Sequence, residues 1–189
     1  MSKIIKYIDG QLVEYEIYKL VDSYDPILKQ PCKELSFTDS SVKPGYIARS
    51  LAETLSKLEG LGLAANQCGI PYRVIAINAG TEIWTLINPK ITWKSDAVSD
   101  YSEGCLSFPG LYLKVKRPNS IKVEFQDMAG NKVEQTFDGL SATVIQHEVD
   151  HLDGICFTDK ISPIKLEQAK RKIKTNLKKM KRAVTRGVA

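Results

Sequence analysis

The chain's two histidines, His147 and His151, stand four residues apart in Gln146-His147-Glu148-Val149-Asp150-His151. On an α-helix that spacing stacks both imidazoles on one face, where they can grip a single ion. A catalytic metal usually has three protein ligands and one open position. With no third histidine in the sequence, a carboxylate or one of the four cysteines must complete the set. Of Cys32, Cys68, Cys105 and Cys156, Cys105 has the suitable setting. In Glu103-Gly104-Cys105-Leu106-Ser107, Gly104 permits close backbone approach and the adjoining loop can fold over an ion. The other three read as small buried hydrophobes. A thiolate with two imidazoles suits zinc, iron(II), nickel or cobalt. Glu148 follows a ligand without being one, which is the place for a general base. It would take a proton from a metal-activated water attacking a carbonyl carbon and pass it to the leaving nitrogen. Asp150 is either an orienting group for a ligand imidazole or a surface charge.

A second segment, Gly60-Leu61-Gly62-Leu63-Ala64-Ala65-Asn66-Gln67, combines small residues that allow close backbone approach with an amide at its end. It lacks the lysine and hydroxyl residue of a phosphate-binding loop. A neutral amide donor beside a metal would instead suit an oxyanion developing on a carbonyl under attack.

These residues need elements to hold them. Residues 3–19 alternate apolar and polar positions around Asp9-Gly10, which predicts a hairpin. Ile47, Leu51, Leu55 and Leu58 mark one face of a helix, with Gly60 where a C-cap would stand. Residues 73–78, 83–88, 111–115, 120–126 and 132–137 read as short strands, separated by Ala79-Gly80, Asn88-Pro89, Pro118-Asn119 and Gly130-Asn131. A second helix runs from about 140 to 152 and closes at Gly154, with Leu140 and Val144 on the histidine stripe, so that this face points inward. A third begins at Ser162-Pro163 and reaches about 184. Consecutive strands favour hairpins over crossovers, so the fold class is α+β: short, mostly antiparallel β-sheets packed around a central metal-binding helix, with a C-terminal amphipathic helix.

The 189 residues, 43% hydrophobic and 26% charged, suit one globular domain and exclude a disordered tail protein or a collagen-like repeat. The net charge of +5 is unevenly spread. Residues 162–189 carry ten basic side chains against the single acid Glu167, a net +9, which leaves −4 for residues 1–161. The division expected is a catalytic body, 1–161, whose first sixteen residues form an extension, and a basic C-terminal helix and tail, 162–189. Four widely spaced cysteines do not frame disulfides and suggest a reducing compartment. Lys6 and Asp9 interrupt Ile4, Ile5, Tyr7 and Ile8 before a signal-peptide core can form, so a soluble cytoplasmic protein is expected.

Taken together, the segments 60–67, 103–107 and 146–154 closely resemble the three signature motifs of peptide deformylase, in the family's order. The resemblance extends from about Tyr18 to Pro163 and includes Tyr24-Asp25-Pro26-Ile27-Leu28. It implies that Cys105, His147 and His151 bind one divalent metal, usually iron(II) in bacteria and replaceable by nickel, cobalt or zinc. It further implies that Glu148 is the acid/base and that Gln67 with the backbone N–H of Leu106 stabilises the tetrahedral oxyanion. The substrate implied is the N-formylmethionyl end of a nascent peptide, and the products are formate and a free amino terminus. By the same alignment Leu61, Glu103, Leu140, Thr143 and Val144 flank the methionine pocket, Gly62 and Gly104 offer backbone bonds to the peptide, and Arg117 stands where some members have an arginine near the substrate. The departures are the N-terminal extension and the long basic C-terminus.

In the third helix Leu166, Ala169, Ile173, Leu177, Met180 and Val184 recur at spacings of three and four, leaving lysines and arginines on the other faces. Such a helix either packs on the body as a solubilising element or docks on an anionic partner. Deformylases of the bacterial branch dock a C-terminal helix on the ribosome, which points to rRNA here, with no DNA and no membrane expected. On this reading, truncation after Ser162 abolishes ribosome binding and leaves turnover intact. Two rival readings remain: a zinc endopeptidase on the same His-Glu-x-x-His helix, whose third ligand would not be a cysteine, and a ribosome-binding or structural protein whose metal only stabilises the fold.

Overall fold

In the computed structural model, which describes residues 2–8 and 10–185, the chain opens with the hairpin β1 (Ser2–Ile8) and β2 (Gln11–Ile17), followed by α1 (Pro44–Leu58). Then come β3 (Gly62–Ala64), β4 (Val74–Asn78), β5 (Ile83–Lys94), β6 (Val98–Cys105), β7 (Phe108–Pro118), β8 (Ser120–Gln126) and β9 (Lys132–Asp138). Two helices close the chain, α2 (Gly139–Leu152) and α3 (Pro163–Thr185). The main sheet has the order β3-β4-β5-β8-β9 and is antiparallel throughout; β1-β2 and β6-β7 are separate hairpins.

The apolar run Val74-Ile75-Ala76-Ile77 follows from burial on both faces of the sheet, since alternate residues of a strand point to opposite sides. Ile75 and Ile77 join Leu86, Ile121 and Val123 against Ala142, Ile145, Val149 and Leu152 of α2. Val74 and Ala76 face the other way, onto Ala48, Leu51 and Leu55 of α1. Leu51 and Leu55 are fully buried, and side chains of this size contribute roughly 1.5–3 kcal/mol each on burial. A third cluster joins Leu111, Leu113 and Val115 of β7 to Phe157 and to Leu166, Ala169 and Ile173 of α3. The histidine helix thus lies between the main sheet and the β6-β7 hairpin, the antiparallel α+β arrangement expected.

Several boundaries differ from the sequence reading. Glu59, not Gly60, takes the left-handed turn that ends α1, with φ 52° and its N–H on the carbonyls of Leu55 and Ser56. Gly60 serves a different need, because a Cβ there would stand 2.8 Å from Leu55 and 2.9 Å from Leu106. Asn88-Pro89 does not end a strand: β5 continues to Lys94 through a bulge at Asn88, φ 52°, whose amide ties the Leu35 backbone and Gln126. Cys105 ends β6, and the loop expected beside it is the two-residue turn Leu106-Ser107 that leads into β7. Leu140 is not an inward residue; it is 53% exposed at the first turn of α2. The hairpin prediction holds for β1 and β2 with Gly10 at φ 82°, while Asp9 lies outside the described residues. The side chains of Leu177, Met180 and Val184 lie outside them as well.

Candidate metal centre

Two neighbouring turns of α2 present His147 and His151 to the end of β6, where Cys105 closes the group. The candidate ligand atoms of Cys105, His147 and His151 all lie within 4.8 Å of one another. Cys105 Sγ is 3.3 Å from His151 Nε2, and the imidazole centroids are 5.0 Å apart. The Glu103 carboxylate lies 2.8 Å from His147 Nδ1. A carboxylate only accepts, so Nδ1 carries the proton and Nε2 keeps its lone pair for an ion. Both histidines are buried, and the Phe157 ring packs on His147 at 5.5 Å. One thiolate and two imidazoles, one of them fixed in the ligating tautomer by a carboxylate, fit a divalent transition metal.

Glu148 comes from the same helix and is 4% exposed. Its Oε2 is buried without a hydrogen-bond partner among the described residues, and burial pushes the carboxyl up to about 7. Gly62 of β3 makes this placement possible, since a Cβ there would collide with Glu148 Oε1 and would lie 2.7 Å from Val144 Cγ1. Gln67 follows in the short turn Ala65–Cys68. Its Oε1 accepts from Ala64 N at 2.8 Å, which aims Nε2 at Ser107 Oγ, 3.1 Å, and Cys105 Sγ, 3.4 Å. The neighbouring Asn66 donates to the His151 carbonyl at 2.6 Å and so ties this turn to α2. Leu106 stands in the β6-β7 turn, its side chain held in the α1 cluster.

These residues open onto a cavity of about 400 Å³. Gln67, Cys105, Leu106, His147 and Glu148 line it; His151 lies deeper and is fully buried. Of the residues expected around a substrate, Leu61, Gly62, Glu103, Gly104, Leu140, Thr143 and Val144 also line it, with Leu61 and Leu140 exposed at its rim. Gly104 meets the ring of Tyr112, and a Cβ there would stand 2.8 Å from it. Tyr112 was not singled out from the sequence, although it is an exposed aromatic on the outward face of β7.

Arg117 is the expected residue that the cavity does not contain. It is 3% exposed, held behind the site by Glu103 through Nε at 2.7 Å and Nη2 at 2.9 Å. Its Nη1 bonds Asp150, which places that carboxylate in a chain of contacts to His147 that runs through Arg117 and Glu103. Burial disfavours charge on Glu103, but hydrogen bonds from Arg117 and His147 outweigh it and hold the carboxyl below its ordinary value. The signal was present in the period-2 stripe Leu111, Leu113, Val115, Arg117, which carries the arginine inward. Ser107 and Gln146 also lie within the motif segments, where nothing in the sequence signals their task. Ser107 holds the Gln67 amide, and Gln146 anchors α2 to the Pro118 carbonyl at 3.0 Å.

A family model for polypeptide deformylase matches residues 17–167. The peptide deformylase of Bartonella tribocorum is 39% identical over 166 residues, covering 84% of this chain and 92% of that one. The peptide deformylase of Prochlorococcus marinus subsp. pastoris is 40% identical over 152 residues, covering 78% and 73%. Among solved structures, the Thermotoga maritima peptide deformylase superposes with a TM-score of 0.73 at 35% identity, covering 79% of this chain and 100% of that one. The Synechococcus elongatus enzyme in complex with actinonin gives 0.75 at 37%, covering 82% and 85%. With the thiolate, the imidazole pair and the buried glutamate at one cavity, these similarities establish that the chain belongs to the polypeptide deformylase family, metal-dependent hydrolases that remove the formyl group from the amino terminus of nascent polypeptides.

Proposed function

We propose that this protein deformylates N-formylmethionyl chains with Cys105, His147 and His151 holding one divalent ion and Glu148 moving the proton. The observation that carries the assignment is the convergence of those three donors within 4.8 Å beside the buried Glu148 carboxylate, whose Oε2 has no hydrogen-bond partner among the described residues. When bound, the ion supplies Lewis acidity toward water and the formyl carbonyl. Glu148 takes the proton from the attacking water and delivers it to the departing methionyl nitrogen, so the C–N bond breaks to give formate and a free amine. Gln67 Nε2 and the Leu106 backbone N–H donate to the oxygen that gains charge. Leu61, Leu140 and Val144 give the methionine side chain an apolar wall, with Thr143 beside them, while Gly62 and Gly104 leave the backbone open to the peptide. Arg117 acts through Glu103 and does not touch substrate.

Iron(II) is the native ion on this reading, with nickel, cobalt or zinc able to replace it. Residues 1–161 form the catalytic body, and the basic residues of 162–189 hold it to rRNA in the cytoplasm, where formylated chains emerge. No described helix is long and apolar enough to cross a membrane. Formate release from formyl-Met-Ala tests the chemistry: an anaerobic iron(II) enzyme that decays in air while the nickel enzyme persists supports the assignment. Unchanged metal content in Cys105→Ser would overturn the ligand set and favour an endopeptidase-like site.

A further inference from the structure

A line of paired charges leads from His147 to the root of α3. Glu103 holds His147 Nδ1, Arg117 holds Glu103 with two donors, and Asp150 Oδ2 accepts from the third, Arg117 Nη1. Beyond these, Lys160 Nζ lies 3.0 Å from the same Asp150 oxygen. Lys160 ends the turn Phe157–Lys160, which packs Phe157 on the His147 ring and leads into α3 at Pro163.

We propose that Lys160, acting through Asp150, is a positioning residue that keeps the Arg117–Glu103 clamp, and with it the His147 ring, in the ligating orientation. The inference rests on the reading that Cys105, His147 and His151 bind an ion. Its physical basis is a balance of charges. Glu103 and Asp150 are two carboxylates at one guanidinium, with side chains 5% and 16% exposed. Lys160 supplies the second cation, so the Asp150 carboxylate is satisfied without drawing Arg117 off Glu103. Remove it and, among the described residues, Arg117 is the one cation left against Asp150 while it also holds Glu103. The pull of Asp150 then loosens the Glu103 hydrogen bond that fixes the tautomer and ring plane of His147; losing the direct partner of a ligating imidazole typically costs about 10–100-fold in metal affinity, so an effect relayed to Glu103 belongs at the low end of that range. Lys160 has a side chain 32% exposed, and such a pair adds little to global stability. The effect therefore belongs in ion retention and not in the melting temperature.

The test is ion release from the nickel-loaded full-length protein into excess chelator, followed with a colorimetric indicator, alongside thermal melting. Lys160→Met should release nickel about 10-fold faster than wild type, with Tm within about 2 °C, and Lys160→Arg should restore slow release. Lys29→Met is the control. It removes the 2.5 Å Lys29–Asp159 pair from the same turn without touching Asp150, and should release at the wild-type rate. In an Asp150→Asn background, Lys160→Met should add nothing further. Wild-type release by Lys160→Met, or equal acceleration by Lys29→Met, would overturn the proposal. Failure of the wild-type protein to hold one equivalent of nickel would instead overturn the ligand assignment beneath it.

Discussion

At the residue scale the site is arranged by small residues and by burial. Gly62→Ala should misplace the Glu148 carboxylate, because the added Cβ meets Glu148 Oε1 and Val144 Cγ1. Displacing a reacting group by about 1 Å costs on the order of 100-fold in rate, so kcat should fall that far while metal content stays constant. Normal turnover in that variant would refute the close approach. The cysteines separate by environment. Burial pushes the Cys32 thiol up to about 11 and Cys68 up to about 12. A raised thiol pKa means the neutral form persists at pH 8, and the thiolate is the nucleophile. Iodoacetamide at pH 8 should therefore leave Cys32 and Cys68 intact, while Cys105, which lines the cavity, is labelled after chelation and protected by bound metal. Peptide mass mapping checks this, and labelling of Cys68 ahead of Cys105 would contradict it.

At the element scale α2 was legible from sequence because its apolar and histidine positions share the helical period. β6 was not. Its sequence Val-Ser-Asp-Tyr-Ser-Glu-Gly-Cys lacks the apolar alternation of a strand because the inward Glu103 is charged, and that charge is tolerated through Arg117 and His147. β3 is only three residues long, and the Asn88 bulge carries β5 through an Asn-Pro pair that otherwise signals a turn. Arg117 came into the sequence reading through the resemblance alone; its place on the β7 stripe carries it inward, but nothing in the sequence pairs it with Glu103 on the neighbouring strand. α3 carries core as well as charge. Leu166, Ala169 and Ile173 pack against the β7 cluster that includes Phe157, whose ring packs on His147. Truncation after Ser162 therefore removes core as well as charge and should lower Tm by about 5–10 °C, if the lost burial is about 2–4 kcal/mol. Truncation after Thr175 keeps those three contacts while removing Lys178, Lys179, Lys181, Arg182 and Arg186. It should leave Tm within about 2 °C and turnover unchanged. An equal Tm loss in both truncations would show that the distal half of α3 carries the stability.

At the scale of the whole molecule, the −4 body contains every residue assigned to metal and hydrolysis, and the +9 tail contains none of them. If the tail holds the enzyme to rRNA, sedimentation with ribosomes should weaken steeply between about 50 and 200 mM salt, and the truncation after Thr175 should flatten that dependence. Ribosome binding insensitive to salt would contradict a phosphate-directed tail. The chemistry itself is tested most directly by formate release from formyl-Met-Ala, comparing nickel-loaded wild type with nickel-loaded Glu148→Gln, metal content measured on both. The account predicts one equivalent of metal in each and a rate lower by about 10²–10⁴ in the variant. Formate release by Glu148→Gln at the wild-type rate would contradict it.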